Sequence, residues 1–141
     1  MSGSATATIT NRAKLDALQG GLLSTSGAWT VHLGTSSPTI SPTMGLAGFV
    51  DPFYPEYTPQ IWAPAPFVVD LSNVVHATGA SVSFAAPSQM PQLLVNVWVT
   101  YTDASGQVQL LEAFNLPSGP VPFGPGGQPL VVNLGFRDFS F

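Results

Sequence analysis

Gln92–Leu116 reads QLLVNVWVTYTDASGQVQLLEAFNL, two apolar runs joined by the polar tip Asp103-Ala104-Ser105-Gly106. In the first run Leu93, Val95, Val97, Val99 and Tyr101 alternate with Leu94, Asn96, Trp98 and Thr100. That period of two, carried by β-branched and aromatic residues, is the pattern of a strand. The second run puts Val108, Leu110, Glu112, Phe114 and Leu116 on one face. Asp at the start of the tip and Gly at its end predict a type I turn followed by a left-handed residue. The stretch therefore predicts the central β-hairpin of the chain. Leu94 and Trp98 make even its more polar face partly apolar. Such a hairpin lies between two layers, or between its own core and a partner.

Outward from the hairpin, short strands follow from the same alternation. Ala28–Gly34 sets Trp29, Val31 and Leu33 against Thr30 and His32. Phe67–Leu71 and Ala80–Ala86 read as strands, the latter with Val82 and Phe84 inward, and Phe49-Val50 as a very short one. Val121–Phe123 reads as an edge strand, with Gly124–Gly127 as its turn. Leu130–Phe136 puts Val132, Leu134 and Phe136 in register, but Phe139 and Phe141 fall on the opposite face. Either a bulge at Arg137-Asp138 resets the register or the tail takes its phenylalanines to another surface. Near the start, Thr10 or Asn11 caps a helix over Arg12–Gln19, with Leu15 and Leu18 toward the core, Leu22 continuing that line and Gly20-Gly21 ending it. About seven strands, one small helix and many Pro/Gly turns predict an antiparallel β-sandwich. The expected organisation is an extended arm over Met1–Ile9 and a single β-sandwich domain over 10–141, with the C-terminal residues as a second arm.

Composition narrows the function. The 141 residues fit one domain. Hydrophobic residues make up 45% and charged residues only 7%, far below the usual quarter. No apolar run approaches the roughly 18 residues that span a bilayer. The first twelve residues, MSGSATATITNR, lack the basic start and apolar centre of a signal peptide. Cysteine is absent, which removes disulfides, thiolate ligands and thiol nucleophiles. Arg12, Lys14 and Arg137 carry all the cationic charge. Phosphate backbones need many more, so nucleic acid is not an expected partner. A soluble monomer normally covers itself with mixed charge. So few charges on so apolar a chain predict a surface covered by neighbours, the alternative being a neutral Ser/Thr-coated secreted β-domain.

Chemistry-bearing patterns are sparse. His32 and His76 are the two histidines, far apart and without ligand spacing. Asp51 and Glu56 are close enough to imagine a glycosidase pair, but any seven acids produce some near pair. No GxSxG elbow or phosphate-binding loop is present. The expectation is a chain without catalytic residues, metal or cofactor. One segment is site-like: Pro52–Pro66, PFYPEYTPQIWAPAP. Five prolines forbid a central strand there, and Phe53, Tyr54, Tyr57 and Trp62 make it too apolar for an ordinary solvated loop. It is a crossover loop that caps the sandwich with its own side chains, an anchor for a partner protein, or a stacking platform for sugar.

A further pattern runs along nearly the whole chain. A short helix over Thr10–Leu23 (TNRAKLDALQGGLL) is followed by a strand and Thr/Ser/Pro loop over Val31–Pro42 and the aromatic segment Pro52–Trp62. Then come Ser81–Ser88 (SVSFAAPS), the hairpin Val95–Phe114, and a Pro/Gly turn with a terminal strand pair over Pro120–Phe141. In order and spacing this resembles small tailed-phage virion proteins of the head-decoration or tail-fibre-like kind. The resemblance implies a non-enzymatic part of a virion. The first expectation is a capsid decoration (cement) protein that binds the major capsid protein and copies of itself through apolar contacts. Its contacts would come from the N-terminal arm, the aromatic loop (Phe53, Tyr54, Tyr57, Trp62) and the tail (Phe136, Phe139, Phe141). The alternative is a tail or fibre component that meets a host glycan through Tyr54, Tyr57 and Trp62.

Overall fold

The computed structural model describes residues 7–18, 29–62, 68–69, 75–77, 79–117, 119–135 and 137–138. The architecture is mainly β, antiparallel throughout, with one short helix. Its larger sheet has five strands: β1 (Thr8–Ile9), β2 (Trp29–Gly34), β3 (Gln60–Trp62), β8 (Asn96–Thr102) and β9 (Val108–Asn115). They lie in the order β1-β9-β8-β2-β3, so the predicted hairpin forms the sheet's centre. Two further ladders supply the second layer. One pairs β6 (Ala80–Phe84) with β11 (Leu130–Leu134), and the other pairs β7 (Gln92–Leu94) with β10 (Val121–Phe123). Val82 and Phe84 of β6, Val132 and Leu134 of β11, Leu94 and Phe123 share one core with Trp29, Val31, Leu33, Val97 and Val99. That face-to-face burial makes the sandwich. A third ladder joins β4 (Val68–Val69), β5 (Val75–Ala77) and β12 (Arg137–Asp138).

Two irregularities redirect the alternation read from sequence. The first run is two strands, broken at Val95. The Val95 N–H donates to Gly34 O (2.8 Å) and its carbonyl accepts from Leu116 N (2.9 Å). Before the break Leu94 is buried and Leu93 is 55% exposed; after it the odd residues Val97, Val99 and Tyr101 face the core. Leu93 therefore does not share the face of Val97. The second irregularity is a bulge: Val99 pairs with Glu112 but Thr100 pairs with Leu110, leaving Leu111 as the extra residue. Leu111 and Phe114 then face the main core, whereas Leu110 joins Trp98, Ala113 and Phe49 on the other side of the sheet. Ile40 and Met44 of the long loop after β2 pack against that second cluster. Both faces of the hairpin thus pack against this chain's own residues, one against the second layer and one, in part, against the loop.

The tip is built as its sequence requires. Gly106 N donates to Asp103 O (3.0 Å), Asp103 N to Gln107 O (2.8 Å), and Gly106 takes φ +85°. One Asp103 oxygen accepts from the N–H groups of Ser105 and Gln107 and the Ser105 hydroxyl; the other accepts from Gln109 and from Arg12 at 2.9 Å. These donors, led by the Ser105 hydroxyl, hold the carboxyl down at about 2.

The helix α1 spans Asn11–Leu18. Thr10 is its cap: its hydroxyl accepts from Ala13 N (3.1 Å) and donates to Leu110 O (2.7 Å), which fastens the helix to β9. Leu15 was expected inward but is 46% exposed; Ala13 and Ala17 face the core instead. Small side chains let the helix approach the sheet closely enough for Asp16 to accept a short hydrogen bond from the buried Tyr101 hydroxyl. The N-terminal arm is also corrected in part. Thr8 and Ile9 pair with Ala113 and Glu112 as the edge strand β1, so they belong to the sheet. Arg137 and Asp138 likewise pair with Ala77 and His76. Phe49-Val50 forms no strand. Met1–Thr6, Gly20, Gly21, Leu22, Phe67, Leu71, Phe136, Phe139 and Phe141 lie outside the described residues, as does the side chain of Leu18.

Candidate functional site

The aromatic-proline segment folds around a turn. Tyr57 N donates to Tyr54 O (3.1 Å), with Pro55 at the second turn position, where its fixed φ is favoured. The turn sends Tyr54 and Tyr57 inward and leaves Phe53 outside. Tyr54 is buried, packs edge-on against Phe123 (centroids 6.4 Å apart) and donates its hydroxyl to Ala85 O at 2.7 Å. Tyr57 lies parallel to Phe84 at 6.0 Å. Its hydroxyl donates to Asp51 Oδ1 (2.5 Å) and accepts from Leu33 N (3.2 Å). Burial, then the Asp51 carboxylate, push that phenol well above its ordinary range. Trp62 is fully buried in β3, edge-to-face with Trp29 at 4.8 Å. Of the four aromatics named as candidate contacts, Tyr54, Tyr57 and Trp62 are therefore engaged within the fold, and of the three roles open to the segment capping describes them.

Phe53 differs: it is 97% exposed. It stands at the rim of a cleft of about 360 Å³ walled by Tyr54, Pro55, Pro87, Met90 and Pro91. Met90 is 71% exposed. Gln92 ties the two sides by donating to Phe53 O (3.3 Å), and the Glu56 carboxylate accepts from Ser88 N (2.8 Å). The hydrogen bonds from Ser88 hold Glu56 below its ordinary value. The cleft is thus apolar and neutral, with proline walls that lose little entropy on binding. It fits an apolar side chain. A sugar would need exposed ring faces, and Tyr54 and Trp62 present none.

A second arrangement was not anticipated. His32 Nδ1 lies 2.8 Å from Asp51 Oδ1 and Nε2 lies 3.3 Å from the Thr100 hydroxyl, with the ring stacked on Trp98 at 3.9 Å. Burial pushes the Asp51 carboxyl up, but its hydrogen bonds with His32 and Tyr57 outweigh that and leave it below the usual range. Sequence could not link residues 32, 51 and 100; only the β2–β8 pairing and the return of the loop do so. The order carboxylate–imidazole–hydroxyl is that of a proton relay. Thr100, however, is paired on both sides within a central strand, with Thr30 and Leu110 opposite, rather than raised on a sharp exposed turn. The arrangement pins the aromatic-proline loop to the sheet. Asp51 and Glu56, imagined as a catalytic pair, hold different partners, His32 with Tyr57 and Ser88. Among the described residues no group of three His, Cys, Asp or Glu could hold a metal, and no helix is long and apolar enough to cross a membrane.

Comparison of the chain with protein-family models, with curated proteins and with solved structures finds no match.

Proposed function

We propose that this chain is a non-enzymatic structural subunit of a tailed-phage particle, and most specifically a decoration (cement) protein on the outside of the head. The observation that carries the reading is the neutral apolar cleft with the exposed Phe53 ring on its rim. An exposed aromatic beside a proline-walled cleft has no role in the fold and is the kind of anchor a protein interface uses. Composition supports the same reading: with charged residues at 7% the chain is poorly equipped to remain alone in water. The partners are the major capsid protein and further copies of this chain, and attachment by buried apolar area is repeated over many copies. The tail-fibre alternative draws less support, because two of the three rings assigned to a glycan are in the core.

Apolar attachment resists salt, whereas attachment through surface charge is screened. The test is a wash of density-purified particles followed by mass spectrometry. The chain should stay with the particles in about 1 M salt and leave in mild detergent. Its absence from purified particles, or its release by salt alone, would contradict the proposal.

A further inference from the structure

We propose that the Phe53 cleft is a self-association seam, in which Phe53 of each of two copies enters the cleft of the other. The inference rests on the reading of the chain as an assembly subunit and names the partner that this one surface takes. A projecting ring and a receiving cleft side by side make a surface complementary to itself, which is what a two-fold interface requires. The cleft, about 360 Å³, has room for a phenyl ring, since a cavity of about 150 Å³ accepts benzene.

Charge permits the pairing. At net −4 two copies repel at long range, yet the cleft walls are proline, tyrosine, methionine and amide. No acid lines the cleft, and Glu56, next to Pro55 in the chain, accepts from Ser88 N. No like charges are forced together at the seam.

The area is sufficient for a weak dimer. Phe53 and Met90 are 97% and 71% exposed, and the cleft-lining Pro55 and Pro91 are exposed beside them. Together they offer on the order of 400 Å² of apolar side chain. With the exposed polar rim of Ser88 and Gln89 the total nears roughly 600 Å² per copy, the lower bound for a specific interface. Such a dimer forms at high local concentration, as on a lattice.

The test is sedimentation equilibrium of the purified full chain up to millimolar concentration, at low salt and in about 1 M salt. The expected result is a concentration-dependent dimer that salt does not weaken. Phe53→Ala should raise the dimer dissociation constant roughly ten- to a hundredfold, because two rings are lost per dimer. Met90→Glu, which puts a carboxylate at each cleft, should do the same. Both side chains are mainly in solvent, so thermal melting followed by circular dichroism should hardly change. A chain that is monomeric throughout, or a dimer indifferent to both variants, overturns the seam and leaves the cleft to a different protein. The two readings fail separately. A monomeric chain found on particles overturns the seam alone; a Phe53-dependent dimer absent from particles overturns the particle reading alone.

Discussion

Replacing Trp62 with alanine separates a core role for the aromatic-proline segment from a binding role. Trp62 has no exposed surface, sits edge-on to Trp29 at 4.8 Å and pairs with it across β2 and β3. Removing a buried tryptophan costs about 3–5 kcal/mol, because the lost transfer energy is joined by a cavity that its neighbours only partly fill. The edge-to-face pair accounts for about 1 kcal/mol of that loss. Against a total stability of about 5–15 kcal/mol this is a large fraction. In urea, with a slope of about 2 kcal/mol per molar, the midpoint should fall by roughly 2 M. Circular dichroism is the proper readout, since the substitution removes one of the three tryptophans that fluorescence would follow. Phe53→Ala, nine residues earlier in the same segment, should change stability by no more than about 0.5 kcal/mol. A Trp62→Ala loss below about 1 kcal/mol would refute the placement of Trp62 in the core and return it to the candidates for partner contact.

Other consequences follow from single groups. Thr10→Ala removes the helix cap and the hydroxyl's bond to the Leu110 carbonyl, and should cost about 1–2 kcal/mol in denaturant titration. Gly34→Ala would drive a methyl group into the Asn96 carboxamide; a loss of about 1–3 kcal/mol is expected, and a neutral outcome would mean that the β2–β8 contact is looser than described. Asp51 and Asp103 both titrate below the ordinary aspartate value of 3.8 in the fold. Their contribution is therefore complete above that value and is lost as pH falls through the folded values, about 2 for Asp103. The melting temperature should drop on acidification from about pH 4 toward pH 2, and Asp103→Asn should flatten that drop.

The fold was largely legible because it rests on local pattern. The Asp103–Gly106 tip, the inward set Trp29, Val31 and Leu33, and Val82 with Phe84 in β6 all follow from alternation and turn chemistry. What the sequence hid was set by long-range contact. The break at Val95 is made by hydrogen bonds to Gly34 and Leu116, and the bulge at Leu111 by the register of β8 against β9. Each flips the side-chain pattern beyond it, so Leu93 and Leu110 leave the faces that alternation assigns them. Leu15 turned outward because close approach to the sheet favours Ala13 and Ala17, a packing choice that helical spacing alone does not rank. In the aromatic segment, composition marked the residues but could not divide them. The Tyr54–Tyr57 turn does that, sending two rings in and leaving Phe53 out. The His32–Asp51–Thr100 cluster had no sequence signal, since its members are joined only by sheet pairing and loop return.

The most direct measurement of the particle assignment is immunogold electron microscopy on intact particles purified from the source of this chain, with an antibody raised to it. The account predicts gold distributed over the head surface. Gold confined to the tail would contradict the decoration role, and no gold on any particle, with the antibody validated on the purified chain, would contradict the virion reading altogether.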